Sequence, residues 1–150
     1  MDNVSLFEIS EVSLVYKRKS KSLSAIKSSL DAYDVLIKAY DEKTIEHREE
    51  FKILLLDTAL NVLGVCCISQ GGIDSTIVDI RLVFQSALLA NASRLILCHN
   101  HPSGKLMRST ADDNLTNSIK QAAKIMGIGL EDHLIISKDG YYSYADEGVL

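Results

Sequence analysis

The feature that most constrains this chain is a short apolar run at residues 94–98, RLILC, which leads directly into a polar segment at residues 99–104. An unbroken apolar run of about five residues is typical of a strand buried on both faces. Such a strand needs neighbouring strands at its edges and helices that cover the sheet. The sequence therefore predicts a central strand whose carboxyl end presents polar side chains.

Apolar residues recur with helical spacing in three segments. The predicted helices cover residues 29–40, 80–88 and 110–126. Their expected N-caps are Ser29 or Asp31 for the first, Asp79 for the second and Ser109 for the third. Gly127 and Gly129 are expected to end the last helix, because glycine adopts the left-handed conformation common at helix ends.

The remaining apolar runs predict strands. They lie at residues 49–57, 61–69, 133–137 and 141–144, with a short strand at 75–78 and a peripheral one at 4–16. The short connector between the first two predicts an antiparallel hairpin, and the Ser/Lys-rich stretch 17–29 predicts a loop. Helices mixed with hairpin-paired strands indicate an α/β (α+β) fold, in which helices flank a mixed central β-sheet.

A length of 150 residues fits one domain, and 47% hydrophobic with 24% charged residues excludes a disordered or low-complexity chain. We predict a single globular domain, with an N-terminal extension at residues 1–48 packed on a core at residues 49–150. The extension would contain the peripheral strand, the basic loop and the first helix.

Several features exclude export and a membrane partner. No run of 18 uncharged apolar residues exists, and the first ten residues, MDNVSLFEIS, are acidic where a signal peptide is basic. The three cysteines are odd in number and form no C-x-x-C pair, which is typical of reduced thiols. We therefore expect a cytoplasmic protein; its oligomeric state is not indicated by the sequence.

The net charge of −4 is unevenly distributed. Residues 1–27 carry five basic and three acidic side chains, whereas residues 28–150 carry eleven basic and seventeen acidic ones. An acidic body repels a phosphate backbone. The basic cluster at residues 17–21 is interpreted as a solvated arm, so a nucleic-acid partner is only weakly supported.

Two of the four histidines, His99 and His101, follow the predicted central strand. In an extended backbone residues i and i+2 face the same side, so both imidazoles can approach one point while Asn100 faces away. Pro102 favours an extended conformation at the preceding residue. Paired neutral imidazoles are a common start for a transition-metal site, although polar loop histidines are the simpler interpretation.

The start of the helix at residue 110 supplies a candidate third ligand. Asp112 could return as an oxygen ligand, which would leave a fourth position for water, as in catalytic zinc sites. Ser109 and Asp112 also have the spacing of a helix cap, and spacing alone favours the cap. The two roles are compatible. Asp113 is a competing carboxylate, but it lies about 100° further round the helix.

The pattern His99-x-His101-Pro102, six residues, then Ser109-x-x-Asp112 resembles the metal signature of the JAB/MPN-plus (JAMM) metallopeptidases. HNHPSG, preceded by NASRLILC and followed by EDHLIIS, resembles the RadC family more narrowly, over residues 49–150. The resemblance implies a JAB/MPN (cytidine-deaminase-like) architecture that hydrolyses peptide or isopeptide bonds of a peptide or protein substrate. It implies Zn²⁺ held by His99, His101 and Asp112, with Ser109 stabilising the oxyanion.

The family also implies a glutamate that activates water, two residues before a phenylalanine in the pattern E-x-F-x-x-x-x-L-D. Here that residue is Glu49, before Phe51. The adjacent Glu50 has the opposite strand parity and shares its face with Lys52, which predicts that this face is the wetter one. We therefore expect Glu49 to be the catalytic base and to face the pocket.

Other functions remain open. The first is a DNA-repair-associated or accessory RadC-like protein that binds metal without peptidase activity; the first 48 residues lack the glycine-containing helical pair of many relatives, and Arg108 replaces their usual proline. A zinc deaminase lacks its H-x-E and P-C-x-x-C motifs here. A cysteine hydrolase would use Cys98, whose side chain should diverge from that of His99. Asp132-His133 also fits the family pattern, and a structural hydrogen bond at a strand start is expected there rather than metal ligation.

Overall fold

The computed structural model describes residues 13, 15–17, 25–72 and 75–150. Their regular elements are α1 (Ser29–Leu36), a 3₁₀ turn (Ile37–Ala39), β1 (Glu50–Leu56), β2 (Val62–Gln70), α2 (Ile80–Leu89), β3 (Arg94–Asn100), α3 (Thr110–Met126), β4 (Gly129–Ser137) and β5 (Gly140–Ser143). No helix in the described part of the chain is long and apolar enough to cross a membrane.

The five strands form one mixed sheet in the order β2-β1-β3-β4-β5. β1 is antiparallel to both β2 and β3, β3 is parallel to β4, and β4 is antiparallel to β5. A parallel pair needs a long crossover, and α3 supplies it between β3 and β4. The predicted fold class, the central position of β3 and the β1–β2 hairpin are thus confirmed.

Each face of the sheet has its own core, and strand parity assigns residues to one or the other. On β1 and β3, the odd-numbered side chains pack under α2 and α3, and the even-numbered ones pack under α1. The first core includes Phe51, Ile53, Leu95, Leu97, Val83 and Ile119; the second includes Leu54, Leu56, Ile96, Cys98, Ala32 and Leu36. Every residue of β1 is buried because both of its faces are covered.

Helix caps explain where α2 and α3 begin and end. Asp79 accepts a hydrogen bond from the Arg81 amide at the start of α2, as predicted. Gly127 ends α3 with a positive φ of 68°. For α1 the predicted cap is wrong by one residue, because the hydroxyl of Ser28 accepts from the Asp31 amide.

Other predicted boundaries also need correction. Residues 75–78 form no strand: they lie between β2 and α2 without joining the sheet, and Ser75 accepts a backbone hydrogen bond from the Gly72 amide. β4 begins at Gly129, four residues before the prediction, where it pairs with the start of β3. The first helix changes to a 3₁₀ turn after Leu36. The strand predicted at residues 4–16 lies largely outside the described residues.

Candidate metal centre

His99 and His101 lie at the carboxyl end of β3, where they approach each other on the α3 side of the sheet. Their Nε2 atoms are 3.0 Å apart. His99 is fully enclosed, with 1% of its surface exposed, and its ring stacks on that of Phe51 on the neighbouring strand β1. His101 follows the strand, and its Nδ1 lies 2.8 Å from the Lys105 carbonyl oxygen. The predicted convergence of the two imidazoles is therefore observed.

Asp112 completes the cluster from the first turn of α3. Its Oδ1 lies 3.2 Å from Nε2 of His99, and its Oδ2 lies 3.8 Å from Nε2 of His101. Oδ2 also accepts hydrogen bonds from the amide and the hydroxyl of Ser109, each at 2.7 Å. The Ser109 hydroxyl accepts in turn from the Asp112 amide, which completes a capping box. Asp112 thus caps α3 and faces the histidines at once.

The chemistry of this cluster fits a divalent transition metal. A carbonyl oxygen only accepts, so the contact with Lys105 places the ring hydrogen of His101 on Nδ1 and leaves an Nε2 lone pair facing the centre. One ligand atom from each of the three residues lies within 4.8 Å of the others, and within the described ranges no further group of this kind is found. Two imidazole nitrogens and one carboxylate oxygen form a donor set that suits zinc and similar ions.

Burial and local contacts hold His99 and Asp112 in their metal-binding protonation states. Burial lowers the pKa of His99, more strongly than the nearby Asp112 raises it, so the ring is neutral. Burial acts to raise the pKa of Asp112, but Oδ2 accepts two hydrogen bonds from Ser109, and the pKa stays well below its ordinary value. A neutral imidazole and an ionised carboxylate are the forms that bind cations.

Glu49 lies immediately before β1 on the same side of the sheet as Phe51. It borders a cavity of about 740 Å³ that also contains the three clustered residues and Ser109. Hydrogen bonds between its backbone and residues 71–72 fix its position. Burial, and then the charge of Asp112, raise the pKa of Glu49 to about 7 against a weaker opposing contribution from the Thr76 amide. The carboxyl group is thus poised to gain or lose a proton near neutral pH.

Glu50 lies on the opposite face, as its parity predicts. Its carboxylate contacts Nζ of Lys52 at 2.6 Å and Nε of Arg48 at 3.3 Å. Burial acts to raise its pKa, but these two cations lower it overall. The expectation that this face is wetter is wrong, because Lys52 is buried and lies 4.6 Å from the centre of the Tyr40 ring.

Asn100 faces away from the metal cluster, as predicted, and connects β3 to the segment before β1. Its Oδ1 accepts from the Glu50 amide at 2.8 Å, and its Nδ2 donates to the carbonyl oxygens of Ile45 and Arg48. All of these contacts are inside the protein, where an unpaired backbone group is costly. Asn100 therefore determines where the chain enters β1, and so where Glu49 lies.

Two residues next to the cluster were not predicted to belong to it. His133 on β4 is fully buried, and its Nε2 lies 2.8 Å from Nδ1 of His99. Thr116 on α3 contacts His133 on the other side, with its Oγ1 2.6 Å from Nδ1. Burial lowers the pKa of His133 well below its usual range, so this ring is neutral. In the sequence, His133 lies within the family-like segment EDHLIIS, but nothing in its spacing indicates a contact with His99.

The remaining residues singled out in the sequence have structural partners. Asp132 accepts from the His133 and Ala145 amides and from the Ser143 hydroxyl, as expected for a structural carboxylate. Asp113 is bonded to Arg108 and to the Tyr144 hydroxyl, away from the histidines.

Cys98 does not form a nucleophilic site. Its side chain lies in the second core beside Tyr40, on the opposite side of β3 from His99. Burial raises the pKa of this thiol to about 12. Because the thiolate is the reactive form, Cys98 cannot act as a hydrolytic nucleophile here.

Comparison with known proteins places this site in a family. The model of the RadC-like JAB domain matches residues 26–149. The chain belongs to this family. The RadC-like match begins inside the segment predicted as an N-terminal extension, and the division at residue 48 stays a prediction.

Among proteins similar to this RadC-like chain is a UPF0758 protein of Flavobacterium johnsoniae, 46% identical over 127 residues, which are 85% of this chain and 54% of that protein. A UPF0758 protein of Thermotoga maritima is 40% identical over 134 residues, which are 89% of this chain and 60% of that protein. The chain thus spans little more than half the length of these relatives.

Proposed function

We propose that this RadC-like domain is a metal-dependent hydrolase of peptide or isopeptide bonds, with Zn²⁺ as its ion. One observation carries the proposal: two imidazoles and a carboxylate converge in a cavity that also contains Glu49, a separate buried carboxyl group with a pKa of about 7. Three ligands beside a free acid–base residue are typical of catalytic rather than structural metal sites.

His99, His101 and Asp112 would hold the ion. A bound Zn²⁺ supplies Lewis acidity, which makes water a better nucleophile near neutral pH and polarises a carbonyl group. Glu49 is the proton carrier of the mechanism: it accepts a proton from the attacking water and returns it to the leaving amine. Its pKa of about 7 suits both steps, because a general base is most effective when its pKa is near the working pH.

Ser109 is the proposed oxyanion donor. In the structure its hydroxyl donates to Oδ2 of Asp112, so donation to a substrate oxygen requires rotation of the hydroxyl hydrogen away from the carboxylate. The Ser109 amide continues to donate to Asp112 during that rotation. The helix cap and the ligand position are therefore retained while the hydroxyl changes partner.

The cavity fits a short stretch of extended chain. Its volume of about 740 Å³ lies within the range of roughly 300–1,000 Å³ common for ligand sites. Apolar side chains border it on several sides, among them Phe51, Val78, Met107 and Leu115. These surfaces would contact aliphatic parts of a substrate, while the polar cluster engages the bond to be cleaved.

The decisive experiment compares hydrolysis by Glu49→Gln and two control variants at equal zinc content, measured by elemental mass spectrometry. The probes are a quenched fluorescent peptide library and a peptide joined to a lysine side chain through an isopeptide bond. Glutamine cannot accept the proton, so Glu49→Gln should reduce the rate by about 10²–10⁴-fold without loss of zinc.

The controls are Glu50→Gln and Glu46→Gln. Glu50 lies on the other face, and its variant also disturbs the Lys52 ion pair, so its rate is corrected for the folded fraction. Glu46 borders the same cavity but is exposed and paired with Lys138, which makes it the matched control for charge. A Glu49→Gln variant that hydrolyses the probes as fast as the parent would disprove the proposed mechanism.

A further inference from the structure

His133 is a buried histidine whose two ring nitrogens are both engaged, and both contacts lead to the proposed metal ligands. Nε2 contacts Nδ1 of His99, and Nδ1 contacts Oγ1 of Thr116. Oγ1 of Thr116 in turn lies 2.6 Å from the carbonyl oxygen of Asp112. Three hydrogen bonds thus connect His99 on β3 to Asp112 on α3 through β4.

The direction of these hydrogen bonds follows from the Thr116 end. A hydroxyl group has one hydrogen, and the Asp112 carbonyl can only accept it. Because its hydrogen is used in that bond, the Thr116 hydroxyl oxygen must accept the hydrogen bond it shares with His133. The hydrogen of the His133 ring therefore lies on Nδ1. The neutral His133 ring then has a lone pair on Nε2, which accepts the hydrogen on Nδ1 of His99.

We infer that His133 and Thr116 are positioning residues that hold His99 in the Nδ1–H tautomer and so direct its Nε2 lone pair at the metal centre. The inference rests on the proposed metal site. His101 reaches the same tautomer by a separate route, through the Lys105 carbonyl. Both imidazoles then present Nε2 lone pairs beside Asp112, the arrangement that a cation requires.

Packing fixes the His133 ring as firmly as its hydrogen bonds do. The ring stacks on Tyr144 with 4.8 Å between centroids, and it meets Phe51 edge to face at 5.8 Å. In this apolar surrounding an aliphatic side chain would fill the space without polar groups that need partners. That a histidine is present, with both nitrogens bonded toward ligands, indicates a role in the site.

The first test replaces His133 by phenylalanine and by glutamine. Phenylalanine keeps an aromatic ring but offers no acceptor, whereas the side-chain amide oxygen of the introduced glutamine can occupy the position of the imidazole Nε2. With Zn²⁺ alone as the probe in a chelator competition, His133→Phe should weaken binding by about 10–100-fold, as outer-shell changes typically do. His133→Gln should restore most of that loss.

A second pair of variants avoids dependence on the His133 substitutions, which could unfold the core. Thr116→Val removes the hydroxyl at nearly constant volume and should weaken Zn²⁺ binding by about 10-fold, at the low end of the same range, while Thr116→Ser should not.

Nitrogen-15 NMR of the metal-free parent should show the Nδ1–H tautomer at His99. Ser118→Ala, which removes a hydroxyl that donates to the Asn114 carbonyl oxygen on the exposed side of α3, serves as the control for loss of a helix hydroxyl.

The inference is overturned if His99 is the Nε2–H tautomer in the metal-free parent. It is equally overturned if His133→Phe and Thr116→Val lose stability in urea but bind Zn²⁺ as tightly as the parent. A parent that binds Zn²⁺ and cleaves no probe contradicts the proposed hydrolase and leaves this inference intact. A parent that binds no Zn²⁺ contradicts the metal site on which both depend.

Discussion

The two oxygens of the Asp112 carboxylate contact different partners, and a single substitution can separate their effects. Oδ2 accepts from Ser109 at the helix cap, and Oδ1 faces His99. In Asp112→Asn one oxygen remains for the cap, while the amide NH₂ would donate to the His99 lone pair and remove it from metal binding. We expect Zn²⁺ affinity to fall by more than the roughly 10–100-fold cost of outer-shell changes.

The metal-free form of Asp112→Asn should lose only about 0.3–1 kcal/mol of unfolding free energy, the usual contribution of a carboxylate at a helix start. Isothermal titration with Zn²⁺ and urea unfolding in a chelator measure the two quantities. Asp113→Asn is the matched control, because its partners are Arg108 and Tyr144. Unchanged Zn²⁺ affinity in Asp112→Asn would leave the residue with its capping role alone.

Glu49 should lower the stability of the metal-free protein at high pH. Its pKa rises from 4.5 to about 7 on folding, so the folded chain binds the proton more tightly than the unfolded chain. The stabilisation from this proton is complete below pH 4.5 and is lost as the pH rises through about 7. Above that pH a buried charge remains, and Glu49→Gln removes it.

We therefore expect metal-free Glu49→Gln to be more stable than the parent by up to about 3 kcal/mol at pH 8, and nearly equal to it near pH 4. Urea unfolding at the two pH values in a chelator tests this. Glu42→Gln, the same substitution at an exposed position, is the matched control. A Glu49→Gln variant that is less stable than the parent at pH 8 would show that its carboxylate is not strained by burial.

The sequence predicted side chains that act through local spacing and failed where long-range contacts decide. Alternation along an extended segment was enough to bring His99 and His101 together and to separate Glu49 from Glu50. It could not reveal that Lys52 is buried, because α1 and Tyr40 cover that face from far along the chain. The contact between His133 and His99 was not predicted for the same reason, since the two residues lie 34 positions apart.

At the level of secondary-structure elements, Asn100 is the link between β3 and the entry to β1. Asn100→Ala removes three hydrogen bonds and leaves the Glu50 amide and the Ile45 and Arg48 carbonyls without that partner. Buried groups left unpaired cost about 1–3 kcal/mol each, partly relieved by water. We expect a loss of about 2–4 kcal/mol in urea unfolding, against less than about 0.5 kcal/mol for the exposed Asn114→Ala on α3.

Asn100→Ala should also reduce hydrolysis at equal zinc content, because the position of Glu49 depends on the same segment. If stability falls and the rate per folded molecule is unchanged, Asn100 stabilises the fold without positioning Glu49.

The helices and strands also show which elements can be predicted from sequence patterns. α2 and α3 begin at polar caps and contain clear apolar stripes, so both were predicted closely. The start of β4 has no such pattern; residues 129–132, GLED, become a strand because β3 offers them hydrogen-bonding partners. Residues 75–78 have strand-like composition but do not join the free edge of β2; they border the cavity instead.

For the whole molecule, metal binding should stabilise a fold that already exists. The clustered residues have contacts of their own, from the Ser109 cap to the Lys105 carbonyl, so the metal-free chain should remain folded. Free Zn²⁺ at a concentration 100 times its dissociation constant should increase the free energy of unfolding by about 2.7 kcal/mol. Calorimetry with and without Zn²⁺ measures the rise in melting temperature, which His101→Ala should abolish. Equal melting temperatures for the parent in both conditions would contradict a specific site.

Charge over the whole chain argues against strong binding to DNA. The net charge is −4, and Glu46, Glu49 and Asp112 place carboxylates around the cavity. We expect fluorescence anisotropy with duplex DNA at about 150 mM salt to give a dissociation constant no tighter than the 10⁻⁴–10⁻⁶ M typical of non-specific binding. Sub-micromolar affinity would instead support the alternative of a DNA-repair-associated accessory protein. The slope of affinity against salt concentration would then give the number of phosphate groups contacted.

The three proposed ligands come from one short stretch, residues 99–112, while Glu49 comes from the segment just before β1. Mutation can therefore remove Glu49 without affecting the three metal ligands. A single codon change at position 49 would remove the proton carrier and leave the ion-binding segment complete. Descendants that bind the ion but cleave nothing are thus one mutation away, whereas descendants that cleave without the ion are not accessible by so small a change. Under the proposed function, loss of hydrolysis should be more frequent in this lineage than loss of metal binding.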